Sequence, residues 1–136
     1  MDRRFAKSYN FGMLHLKPLR DALSSLEDIL KQPMNEYVRD GAIQRFEYTF
    51  ELCWKSLQRV LKERGVETGS PTQVLRAAHK EQLIDDIDDW LAFLKARNLT
   101  VHTYNQNLAE EVFGEAKRFP ARVRKLLKTV KDEESS

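Results

Sequence analysis

Arg97, Asn98, His102 and Tyr104 fall in one eight-residue run, Arg97-Asn98-Leu99-Thr100-Val101-His102-Thr103-Tyr104. These are side chains that phosphodiester chemistry uses. An imidazole titrates near neutrality and can move a proton on or off a hydroxyl. A guanidinium is permanently charged, and its rigid fork can stabilise charge building on a phosphoryl oxygen. One such pair supplies a single proton carrier, so two copies lining one cleft would be needed for an acid and a base together. The plainer reading stands beside this one: a lone histidine is more often an exposed or satisfied residue than a catalyst, and a lone tyrosine more often packs.

The elements that must position the run are helical. Glycine and proline are scarce, apolar residues recur at three- and four-residue spacings, and alternating strand-like runs are absent. The expected fold is all-α, one domain over residues 1–136 with an ordered core from about 10 to 131 and a polar tail that frays. A first helix is expected from about Asn10 to Lys31, capped by Ser8 or Asn10, with Leu16, Leu19, Leu23, Leu26 and Leu30 on one face. A long second helix runs from about Glu36 to Arg64 and stops at Gly65. Its broad apolar face carries Ala42, Ile43, Phe46, Phe50, Cys53, Trp54, Leu57, Val60 and Leu61, while Tyr37, Tyr48 and Leu52 lie on another side. A helix apolar on two sides belongs in the middle of a bundle or at a second interface, which favours self-association.

Ser70-Pro71-Thr72-Gln73 has the form of a helix start, opening a short third helix to about Lys80. Asp85, Asp86, Asp88 and Asp89 open a fourth, at the positive end of its dipole. On that helix Ile87, Trp90, Leu94 and Val101 project within about 60° of arc, with Arg97 and Asn98 on either flank. A guanidinium beside a buried stripe needs a partner, and Glu47 and Glu51, one turn apart at the border of the second helix's main face, are the candidates. Asn98 and His102 share a face if the helix persists. Thr100, Val101 and Thr103 are weak helix formers, so the helix is expected to end nearby and to present His102 and Tyr104 at its mouth. Asn105 is the candidate cap of the last helix, whose apolar stripe from Leu108 to Val130 stays in phase across Pro120.

The remaining features bound the function. A length of 136 residues suits one self-sufficient domain. A net charge of +2 does not announce a nucleic-acid binder, so any basic surface must be local. Lys117, Arg118, Arg122, Arg124, Lys125 and Lys128 give the last helix a basic exterior that either meets phosphates or is simply solvated. The four aspartates lack the histidine or loop glycine of a metal site, and no metal or cofactor is expected. The single cysteine, Cys53, is an apolar filler that rules out an intrachain disulfide. Trp54 and Trp90 are core residues, and His15 and His79 have no catalytic context. No apolar run spans a membrane and no secretory core opens the chain, so the expected address is the cytoplasm.

Phe46-Glu47-Tyr48-Thr49-Phe50-Glu51-Leu52-Cys53-Trp54-Lys55, the Ser70-Pro71 helix start, and Arg97-Asn98 with His102-x-Tyr104 together resemble the nucleotidyltransferase substrate-binding proteins of the HEPN superfamily. The resemblance covers residues 10 to 130. It implies a homodimerising up-and-down bundle of four to five helices and a partner, a minimal nucleotidyltransferase. In many such pairs the HEPN member is a toxin and a metal-independent ribonuclease, and the nucleotidyltransferase is its antitoxin. By resemblance Arg97 would stabilise the transition state, His102 would transfer protons, Asn98 would orient one of them, and Tyr104 would accept AMP from the partner. RNA, including tRNA, is the implied substrate. The family also carries an alternative role, that of a non-catalytic subunit holding substrate for its nucleotidyltransferase.

Overall fold

The structure, a computed structural model, describes the backbone of residues 16–135 and side chains up to residue 131. Within it lie α1 (Lys17–Leu30), α2 (Glu36–Glu63), α3 (Pro71–Lys80), α4 (Ile87–Leu99), a 3-10 turn (Thr100–His102) and α5 (Gln106–Ser135). There is no strand among the described residues, so the all-α expectation holds as a five-helix bundle. The proposed caps Ser8 and Asn10, and His15, lie outside the described residues. No described helix is long and apolar enough to cross a membrane.

Local sequence explains most of the helix ends. Asn35 caps α2 by accepting from Val38 N at 2.8 Å. Ser70 accepts from Gln73 N at 3.2 Å, and the Gln73 amide reaches back to Gly69 N at 2.7 Å, one residue before the usual capping-box partner. α2 and α3 end in the same hydrogen-bonding motif. Val66 N donates to Leu61 O at 2.8 Å past α2, and Leu83 N donates to Ala78 O at 2.8 Å past α3. The left-handed position is Gly65 in the first case, at φ +81°, and Gln82 in the second, at φ +62°. α5 is continuous through Pro120.

α2 is the central element and packs against all the others. Its apolar second side is covered in part within the monomer: Leu52 packs against the core and Tyr48 donates to Ser25 Oγ of α1 at 3.0 Å. Tyr37 and, less so, Tyr48 of that side remain exposed. The centre of the bundle is aromatic. Phe119 of α5 stands edge-on to Phe46 at 5.2 Å and Phe93 at 5.1 Å, with Trp90 and Phe50 each at 5.8 Å.

The face that α4 buries differs from the expected one. Trp90 points inward as expected, but Phe93 and Ala96 join it there, whereas Ile87 and Leu94 are only partly buried and Val101 is 69% exposed. The expectation followed Val101 as though the helix continued, but α4 stops at Leu99, so the register past that point is lost.

Candidate active site at the end of α4

Arg97 closes the last turn of α4, and the chain then tightens into the 3-10 turn that carries His102. Threonine hydroxyls make that tightening favourable: Thr100 Oγ1 donates to Arg97 O at 2.8 Å and Thr103 Oγ1 to Thr100 O at 2.9 Å. Asn105 N donates to His102 O at 3.0 Å, and the Asn105 side chain caps α5 by accepting from Leu108 N at 3.2 Å. The turn is thus bonded at both ends and exposed in the middle. His102 faces solvent and Tyr104 is 82% exposed, as the expected helix end requires.

Of the two candidate partners, Glu51 takes Arg97; Glu47 does not. Glu51 also accepts from Trp54 Nε1 at 3.2 Å and lies 3.7 Å from Lys55 Nζ, so three donors fix its carboxylate. Trp54, expected in the core, is only half-buried and serves here as a hydrogen-bond donor. Arg97 Nη1 donates to Asn98 Oδ1 at 3.2 Å, while Arg97 Nε is buried with no acceptor among the described residues. The pair is not deep: the Arg97 side chain is 34% exposed and that of Glu51 27%. A guanidinium held on one side by Glu51 and open on the other can meet an external phosphoryl oxygen. Asn98 and His102 do not share a helix face, because helical geometry ends between them. The rings of His102 and Tyr104 meet edge to face, centroids 6.1 Å apart.

The two charge runs left open by the sequence find each other. Arg118 and Arg122 both bind Asp89, Lys125 binds Asp85, and Arg124 grips Glu27 of α1 through two bonds of 2.5 and 2.6 Å. The hydrogen bond from Arg118 holds the Asp89 carboxyl below the usual carboxylate range, and that from Lys125 does the same for Asp85. Much of the basic exterior of α5 is therefore spent on its own chain rather than left for phosphates. Burial pushes the Cys53 thiol well above its ordinary value, which keeps it protonated and unreactive.

A cavity of about 520 Å³ opens at the opposite end of α4, between Leu83, Trp90, Leu126 and the Asp85, Arg122 and Lys125 charges. It is separated from His102 by the length of α4, on the order of 20 Å, and takes no part in the arrangement above.

Comparison with known proteins agrees with this architecture. The family described as nucleotidyltransferase substrate binding protein like matches residues 14–132. Over 84 residues the chain is 36% identical to the probable ribonuclease HepT of Haemophilus influenzae, a match spanning 58% of this chain and 58% of that protein. A crystal structure from Thermus thermophilus superposes with a TM-score of 0.75 at 36% identity, covering 87% of this chain and 99% of that one. A Haemophilus influenzae structure, described as revealing the fold of a substrate binding domain of a nucleotidyltransferase, gives 0.76 at 30% identity over 85% of this chain and 98% of that one. With a family match across nearly all of its length and the bundle to go with it, this chain belongs to the nucleotidyltransferase substrate-binding protein family.

Proposed function

We propose that this chain is a HEPN-type endoribonuclease that acts as a homodimer and is neutralised by a minimal nucleotidyltransferase. The observation that carries the reading is the pairing of an anchored, half-open Arg97 with an exposed His102 on the turn that follows it. The similarity to a probable ribonuclease supports it. In the reaction one His102 takes the proton of an RNA 2'-hydroxyl, whose oxygen attacks the adjacent phosphorus. The P–O5' bond breaks, and a second His102, contributed by the other copy, gives its proton to the leaving 5'-oxygen. The product ends in a 2',3'-cyclic phosphate. Arg97 neutralises charge gathering on the non-bridging oxygens, and Asn98, bonded to Arg97, keeps the fork oriented. No step draws on a metal or cofactor.

Tyr104 is the control point in this reading. AMP transferred to its phenol by the partner would set bulk and negative charge beside the His102 ring and close the cleft to RNA. The direct assay incubates purified protein with tRNA in EDTA, alongside Arg97→Ala and His102→Ala. Cleavage by the parent and loss in both variants is expected, and equal cleavage by all three, or by none, overturns the reading. Sedimentation tests the dimer, and a monomer at working concentration removes the two-histidine mechanism.

A second reading rests on the structural neighbour described as a substrate binding domain of a nucleotidyltransferase. There the chain holds substrate for the partner and does no chemistry. It expects no tRNA cleavage and no effect on growth when the chain is expressed alone, with Arg97→Ala and His102→Ala changing the partner's rate instead.

A further inference from the structure

Arg39 is the only charged side chain among the described residues that is buried, at 8% exposure. Projected along α2 it falls about 20° from Phe46, in line with the stripe of Phe50, Cys53 and Leu57, where an apolar residue would continue the core. All three nitrogens of its guanidinium donate. Nη1 donates to Gln106 Oε1 at 2.8 Å and to Glu110 Oε1 at 3.0 Å, and Nε and Nη2 each donate to Asp40 Oδ1 at 3.2 Å. The acceptors Asp40, Gln106 and Glu110 all sit on exposed residues. Burying a paired charge is often no more stabilising than apolar packing, and its best-attested use is to set register.

The register set here is that of the motif turn. Gln106 is the first residue of α5, immediately after Asn105, whose N–H binds His102 O. Arg39 therefore pins to α2 the far end of the segment that carries His102 and Tyr104. Glu51, about 18 Å further along α2 by helical rise, pins the near end through Arg97. Both tethers come from the same helix, so α2 holds the segment from Arg97 to Gln106 at its two ends.

We propose that Arg39 is a positioning residue for the Arg97–His102 site, acting by clamping the first turn of α5 onto α2. Its effect on catalysis rests on the ribonuclease reading; its effect on the turn does not. The test compares the full-length parent with Arg39→Met, Arg39→Lys and the exposed-side pair Gln106→Ala with Glu110→Ala. Amide hydrogen exchange is followed over residues 100–109, and initial rates of tRNA cleavage are measured in EDTA. In Arg39→Met, exchange over 100–109 is expected to rise by about tenfold or more while amides of α3 keep the parent's rate. The kcat is expected to fall roughly 10- to 100-fold with KM within about twofold, the signature of a misplaced group rather than a lost binding contact. Arg39→Lys should recover part of both effects.

Unchanged exchange over 100–109 overturns the proposal, and so does faster exchange with unchanged kcat. If Arg39→Met fails to fold, the pair at Gln106 and Glu110 gives the same two readouts from the acceptor side. If the parent itself leaves tRNA intact, the ribonuclease reading fails and exchange alone decides whether Arg39 holds the turn.

Discussion

Glu51 of α2 and Arg97 of α4 form an ion pair that stays about one-third open to solvent on both sides. Exposed and half-exposed pairs contribute about 1 kcal/mol or less, because water screens them, whereas breaking a buried pair costs roughly 3–5 kcal/mol. Arg97→Ala is therefore expected to lower unfolding free energy by about 1 kcal/mol and, on the proposed ribonuclease reading, to abolish tRNA cleavage. Urea unfolding and the EDTA cleavage assay on one preparation check this. A loss of stability in the buried-pair range would make Arg97 a structural residue instead.

Tyr104 reaches solvent beside the His102 ring and makes little contact with the core. On the proposed reading, co-expression with a minimal nucleotidyltransferase adds AMP to the chain, seen by intact mass, and Tyr104→Phe removes the addition. As a surface change the substitution should alter stability by no more than about 0.5 kcal/mol. An AMP addition that persists in Tyr104→Phe would place the modification elsewhere.

Acid should loosen the seam between the α4 entry and α5. Asp85 and Asp89 have depressed carboxyl pKa values in the folded chain, set first by hydrogen bonds from Lys125 and Arg118 respectively. A depressed folded value means the stabilisation is fully present above the unfolded carboxylate value of about 3.9 and is lost as pH falls through the lower folded value. The urea midpoint is thus expected to stay level on this account from neutrality down to about pH 5 and to drop below about pH 4. Asp89→Asn should show a shallower drop, and an identical acid profile would count against these pairs as its source.

Gln82 holds the left-handed position after α3 that Gly65 holds after α2. A side chain there strains the backbone, so Gln82→Gly is expected to stabilise by roughly 0.5–1 kcal/mol. The reverse experiment is Gly65→Ala, where an added Cβ meets nothing within 4 Å, so that only the φ of +81° opposes it. It should destabilise by about 1 kcal/mol. Thermal melts of both variants check the pair, and shifts of the same sign would refute the shared motif.

The sequence by itself determined the helices, the caps at Ser70 and Asn105, the stop at Gly65, and the place where α4 gives way to a turn bearing His102. Each depends on residues within about one helical turn of each other, so the cause and its effect are both visible in a short stretch. Apolar periodicity also located most of the core. It placed Trp90 correctly but misjudged the rest of α4, where apolar residues surround the helix and packing against Phe119 decides that Phe93 faces inward.

What tertiary structure decided is which charges meet. Glu51 and Glu47 were equal candidates for Arg97 until the crossing of α2 and α4 put Glu51 within reach. Asp89 and Arg122, 33 residues apart, were two separate charge runs until the helices that carry them were packed. Arg39 gave one sign, a charge in phase with an apolar stripe, but its acceptors lie 67 and 71 residues away. Side-chain periodicity records which face of a helix is inward, and it carries no information about which distant helix arrives there. That is why the Arg97–His102 segment could be singled out from the sequence, while the choice among the side chains that hold it in place could not be made there.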